Sequence, residues 1–130
     1  MRIFIVAVII ALGLAGNVMA QKTETLTIKS GCQKKAKTSK LKIKLVEVLE
    51  DSRCPDGANC IWEGNAKVKV KIVGADEAKT FEFNTNLGAR GDTIDGWAVT
   101  MVSLSPVPKS GETIDPKSYT AKFEIVRLTR

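Results

Sequence analysis

Two segments of this chain alternate charged and apolar residues with a period of two, and a pair of cysteines lies between them. Over 40–47, Leu41, Ile43 and Leu45 fall on one face, and Lys40, Lys42 and Lys44 on the other. Ala66, Val68, Val70 and Ile72 alternate in the same way with Lys67, Lys69 and Lys71. A period of two belongs to a half-buried β-strand rather than a helix. The intervening stretch, Asp51-Ser52-Arg53-Cys54-Pro55-Asp56-Gly57-Ala58-Asn59-Cys60-Ile61-Trp62-Glu63-Gly64, is rich in residues that turn a backbone tightly. The chain is therefore expected to reverse here, with the two strands paired as an antiparallel hairpin. If both bury their apolar face, the lysine rows share the other and form a basic stripe, with like charges opposed at a mild cost.

A Cys54–Cys60 disulfide would close a ring of about seven residues, worth about 2 kcal/mol by chain entropy. The third cysteine, Cys32, is the odd one: a buried small hydrophobe, a free thiol or a link between two copies, so monomer and Cys32-linked dimer both stay open. Disulfides persist in oxidising compartments, and the start of the chain points to one. Met1-Arg2 is basic, Ile3 to Leu14 is apolar, and Val18-Met19-Ala20 offers compact residues for cleavage. The apolar run is short of the roughly 20 residues of a spanning helix. Residues 1–20 are read as a signal peptide and 21–130 as a single all-β domain, periplasmic or secreted. Residue 21 is Gln, so no lipidation cysteine follows the cleavage position.

Further strands are expected at 24–29, with Leu26 and Ile28 inward; at 80–84, with Phe81 and Phe83 inward; and at 119–128, with Tyr119, Ala121, Phe123 and Ile125 on one face. The nearly continuous apolar run 97–104 reads as a central strand covered on both faces. Residues 30–37 and 87–95 read as breaks or loop. No segment has helical periodicity. The fold expected is a small antiparallel β-sandwich or barrel of about six to seven strands.

The string Asp51-Ser52-Arg53-Cys54-Pro55, four residues, Cys60, one residue, Trp62, one residue, Gly64 resembles the marker of a family of small uncharacterised exported bacterial proteins and lipoproteins. The resemblance extends through Gly96-Trp97, Leu104-Ser105-Pro106 and the segment 119–127. It implies export and a strand-flanked motif, and brings no activity with it. Physically the motif reads as architecture: Asp51 and Ser52 bonding the strand end, Arg53 pairing with Asp51 or Glu63, Pro55 turning the chain, Trp62 covering the disulfide, and Gly64 taking a conformation other residues avoid.

Histidine is absent, which removes the commonest general base and most zinc and copper sites. Five residues between cysteines suit a structural bridge better than a thiol-redox pair. Asp51, Asp56 and Asn59, or Asp92 and Asp95, lack the spacing of a calcium loop and read as turn formers. No cofactor or metal is expected. Positive charge is local: residues 22–44 hold eight lysines against one acid, Glu24, whereas 45–130 hold 11 basic and 13 acidic residues. That segment has no aromatic residue to stack on bases, so specific nucleic-acid binding is not expected. Candidate binding residues are Arg53 and the lysines 40, 42, 44, 67, 69 and 71. The function expected is non-enzymatic binding of a protein or anionic polymer of the envelope or medium. Its most concrete form is a hydrolase inhibitor presenting Arg53-Cys54-Pro55. The alternatives are a carboxylate- or metal-dependent extracellular enzyme and a purely structural envelope component.

Overall fold

The structure is a computed structural model and describes residues 23–128; the expected signal segment 1–20 lies outside the described residues. Among the described residues there are eight strands: β1 (Glu24–Lys29), β2 (Gln33–Lys35), β3 (Lys42–Asp51), β4 (Ala66–Val73), β5 (Ala78–Asn84), β6 (Gly91–Ile94), β7 (Trp97–Ser105) and β8 (Thr120–Arg127). They form two four-stranded antiparallel sheets of order β1-β8-β7-β6 and β2-β3-β4-β5. The result is an open sandwich, not a closed barrel. The strands beyond the expected six or seven come from β2 and β6, short pieces at sheet edges within segments read as breaks.

The apolar faces predicted by alternation meet in one core. Ile43, Leu45, Val68, Val70, Ile72 and Phe83 from one sheet pack against Ile28, Val99, Met101, Ala121, Phe123 and Ile125 from the other, all buried. Phe83 and Phe123 meet with ring centroids 6.5 Å apart. Each sheet thus has one wet face, and β7 is no exception: Thr100, Val102 and Ser103 are exposed. The expectation of a strand covered on both faces fails because its apolar run contains a bulge. Met101 pairs with Phe123 and Ser103 with Lys122, leaving Val102 as the extra residue.

Two register shifts on β3 matter more. Leu45 pairs with Val70 and Glu47 with Lys69, and then Val48 pairs with Val68 and Glu50 with Lys67. Val46 and Leu49 are the extra residues, and each resets the alternation. Glu47 and Glu50 therefore come to lie opposite Lys69 and Lys67. The continuous basic stripe expected from the sequence is broken at this point. Lys40 does not belong to the row either, since it precedes the strand and has a φ of 62°.

Candidate functional site

The β3–β4 hairpin continues past its strands into the cysteine loop. Ser52 N donates to Asn65 O at 2.7 Å and Cys54 N to Glu63 O at 2.8 Å. Beyond them the Cys54–Cys60 disulfide closes the loop, with a Cα–Cα distance of 5.9 Å, within the ordinary span of such bridges. Inside the ring, Ala58 N donates to Pro55 O at 3.1 Å, and Gly57 takes φ 86° at the third position of the turn, where glycine carries no steric penalty. Gly64, at φ 75°, lies so close to the other arm that a Cβ would sit 1.9 Å from Ser52 O.

Arg53 fastens this loop to the other sheet. Its Nε and Nη2 donate to the two Asp51 carboxylate oxygens, both at 2.8 Å, while Nη1 donates to Leu104 O at 2.7 Å and Nη2 to Pro106 O at 2.8 Å. Tyr119 Oη donates to Asp51 Oδ2 at 2.9 Å. The Arg53 and Asp51 side chains are only 12% and 10% exposed, so the guanidinium is a strut rather than a projecting contact. Burial acts to raise the Asp51 carboxyl, but the bonds from Arg53 and Tyr119 outweigh it and hold it below its ordinary value. Burial, then the Asp51 carboxylate, push the Tyr119 hydroxyl up to about 12. Both groups move away from neutrality, which suits fixed structure and not proton transfer.

Two more ties hold the loop. Asp56 N donates to Pro108 O at 2.8 Å, forming an isolated parallel bridge to the β7–β8 connection. Buried Asn65 donates through Nδ2 to Asn84 Oδ1 at 2.9 Å and accepts at Oδ1 from the backbone of Asn86 and Leu87 at 3.0 and 2.9 Å. The β5–β6 connection is thereby pinned beside the cysteine loop. Asn65 and Asn84 were not singled out from the sequence, and Tyr119 was read there only as an inward-facing strand residue. The Asn84-Thr85-Asn86 cluster and the single tyrosine were the available signals.

Beside the exposed polar residues Asp56, Asn59, Glu63 and Asn86, several large apolar side chains also remain exposed here. Ile61 is fully exposed, Trp62 is 52% exposed, and Leu87 and Val107 are half exposed. Trp62 thus keeps half its surface for solvent, whatever part of the disulfide it shields. A shallow depression of ≈ 320 Å³ is lined by Arg53, Cys54, Glu63, Gly64, Asn86 and Val107, among others. A second, of ≈ 300 Å³, is lined by Asp51, Glu112 and Tyr119 with Pro108 and Ile114 among its neighbours. Its buried carboxylate, Asp51, already accepts four hydrogen bonds. Among the described residues no three His, Cys, Asp or Glu side chains converge as a metal site would require. Cys32 is exposed and unpaired, which removes the buried reading and leaves the free thiol or the intermolecular link.

Compared with family models, curated proteins and solved structures, the chain matches none of them.

Proposed function

We propose that this is an exported, non-enzymatic binding module that engages a protein partner with the tip of its cross-linked loop. The observation that carries the proposal is Ile61, a fully exposed β-branched apolar residue next to half-exposed Trp62. They sit on a loop stiffened by a disulfide, the Arg53 strut and the Asp56 bridge. Exposed apolar side chains on an immobilised loop lose little entropy on docking, and tryptophan is among the residue types most enriched where binding energy concentrates. A fully exposed apolar side chain suits insertion into a concave partner, so the specific form proposed is inhibition of an extracellular hydrolase by occupation of its cleft. The docking residues of this reading are Ile61 and Trp62, with Arg53 holding them from behind. Export is supported by the basic and apolar start of the chain, by the disulfide and by the resemblance of the Asp51–Gly64 motif.

The test is capture at high salt from envelope and medium proteins of the source cell, comparing the wild-type protein with an Ile61→Asp/Trp62→Ala variant. A discrete protein, with hydrolase activity that the wild type suppresses, should be retained by the wild type and lost by at least about tenfold with the variant. Equal retention by both would remove the loop tip from the interaction.

A further inference from the structure

The outer face of the β2–β5 sheet carries a second feature, at the opposite end from the cysteine loop. Register places Lys35 directly opposite Lys42, and Lys44 directly opposite Lys71. The other members of these two rows are Gln33, Val73, Ala78 and Thr80, all uncharged. Four ammonium groups therefore share two neighbouring rows without an acid in either. None of the four is in an ion pair among the described residues. Like charges directly opposed across an antiparallel pair destabilise it, so the arrangement is retained against a folding cost.

The same strands show what a neutralised arrangement looks like. One row further on, Lys69 lies between Glu47 and Glu82, and beyond it Glu50 faces Lys67 with a 3.8 Å ion pair. The one acid of residues 22–44 is engaged elsewhere. Glu24 accepts hydrogen bonds from the backbone N–H groups of Lys37 and Thr38, which ties the β2–β3 connection to β1. That connection adds Lys37 and Lys40, both exposed, to the positive end.

We propose that the paired lysines 35, 42, 44 and 71 bind a strand of acidic polysaccharide, taking its carboxylate or sulfate groups one at a time. Lysine is a compact, mobile point charge without the planar fork of arginine, suited to singly spaced anions. The face is a lattice with about 4.8 Å between strands and about 6.7 Å between alternate residues along each strand. The rows contain no aromatic side chain on which a base could stack. They also contain no exposed large apolar residue of the kind a membrane-docking face inserts beneath headgroups. The row of Glu47, Lys69 and Glu82 closes the site on one side, so the polymer crosses the β-strands from β2 towards β4 instead of following them.

The experiment titrates the protein with polygalacturonate and with heparin over a range of salt. The wild type is compared with Lys44→Gln/Lys71→Gln and with a charge-matched control, Lys109→Gln/Lys117→Gln. The patch variant should lose at least about tenfold in affinity and about two units of salt slope, and the control much less. A Lys44→Glu variant should unfold at higher denaturant than wild type while losing glycan binding, which separates lost binding from lost fold. Equal losses in patch and control variants would overturn the proposal. So would patch-dependent binding to vesicles of phosphatidylglycerol and phosphatidylcholine in equal parts that is tighter than to either glycan.

Discussion

Arg53 shows how far a single residue can be read before its surroundings are known. Its neighbour Asp51 is two positions away, and that pairing was legible. The acceptors Leu104 O and Pro106 O lie 51 and 53 positions from Arg53, and the second donor to Asp51, Tyr119, lies 68 positions from Asp51. No local pattern encodes such contacts, so a residue expected to project into a partner turns out to brace the two sheets. Arg53→Ala strands a poorly exposed carboxylate and two carbonyls, and should lower unfolding free energy by about 2 to 4 kcal/mol in denaturant titrations. Arg53→Lys should recover little, since one ammonium cannot reproduce the fork. The titration signs follow from the same cluster. The Asp51 carboxyl is lower in the folded state than its ordinary 3.8, so its contribution is present above about pH 4 and fades as pH falls through the folded value. The Tyr119 hydroxyl is raised from 10.0 to about 12, so its contribution is intact below pH 10.0 and fades as pH rises through about 12. Asp51→Asn should flatten the acid limb of a stability–pH profile and Tyr119→Phe the alkaline limb. Unchanged limbs would mean that the cluster does not titrate with folding.

Among the elements, the strands that bury one face against the core were plain in the sequence, because alternation reports that burial directly. Leu26 and Ile28 on β1, Phe81 and Phe83 on β5, and Ala121, Phe123 and Ile125 on β8 all face inward as their spacing requires. Strands β2 and β6 were not legible: Gln33-Lys34-Lys35 is exposed throughout, and only Ile94 of β6 is buried, so neither carries a period. The bulges were illegible for a related reason. An inserted Val46, Leu49 or Val102 is itself apolar and reads as more strand, yet each one changes which residues face water. The hairpin loop is an element with its own test. Its ring entropy gives the disulfide about 2 kcal/mol, while Arg53, Asn65 and the Asp56 bridge hold the loop independently of sulfur. Cys54→Ser/Cys60→Ser should therefore cost about 2 kcal/mol and leave a cooperative, folded sandwich. Collapse of the fold on reduction would show that those other ties are too weak to matter.

At the scale of the whole molecule, the sandwich separates its two features along the strands. Strand β4 begins at Ala66, beside the cysteine loop, and reaches Lys71 and Val73 at the lysine end. Lys71 lies five residues along β4 from Ala66, so at about 3.3 Å per extended residue the lysine end stands about 17 Å along the strand from the cysteine-loop end. Between them the acidic residues Glu47, Glu50 and Glu82 neutralise Lys67 and Lys69 of β4, so the positive field does not extend to the loop. Sites this far apart, sharing no side chain and joined by a rigid sheet, should act independently in solution, within about 0.5 kcal/mol. Lys44→Gln/Lys71→Gln should leave high-salt binding of an isolated protein partner unchanged, and Ile61→Asp/Trp62→Ala should leave glycan binding unchanged. The combined variant should lose both by the factors of the separate ones. Where partner and polysaccharide occur on one surface, the second contact becomes intramolecular and retention of the wild type should exceed what either site gives alone. Retention at such a surface that falls no further in the combined variant than in one pair alone would show that a single end does the binding.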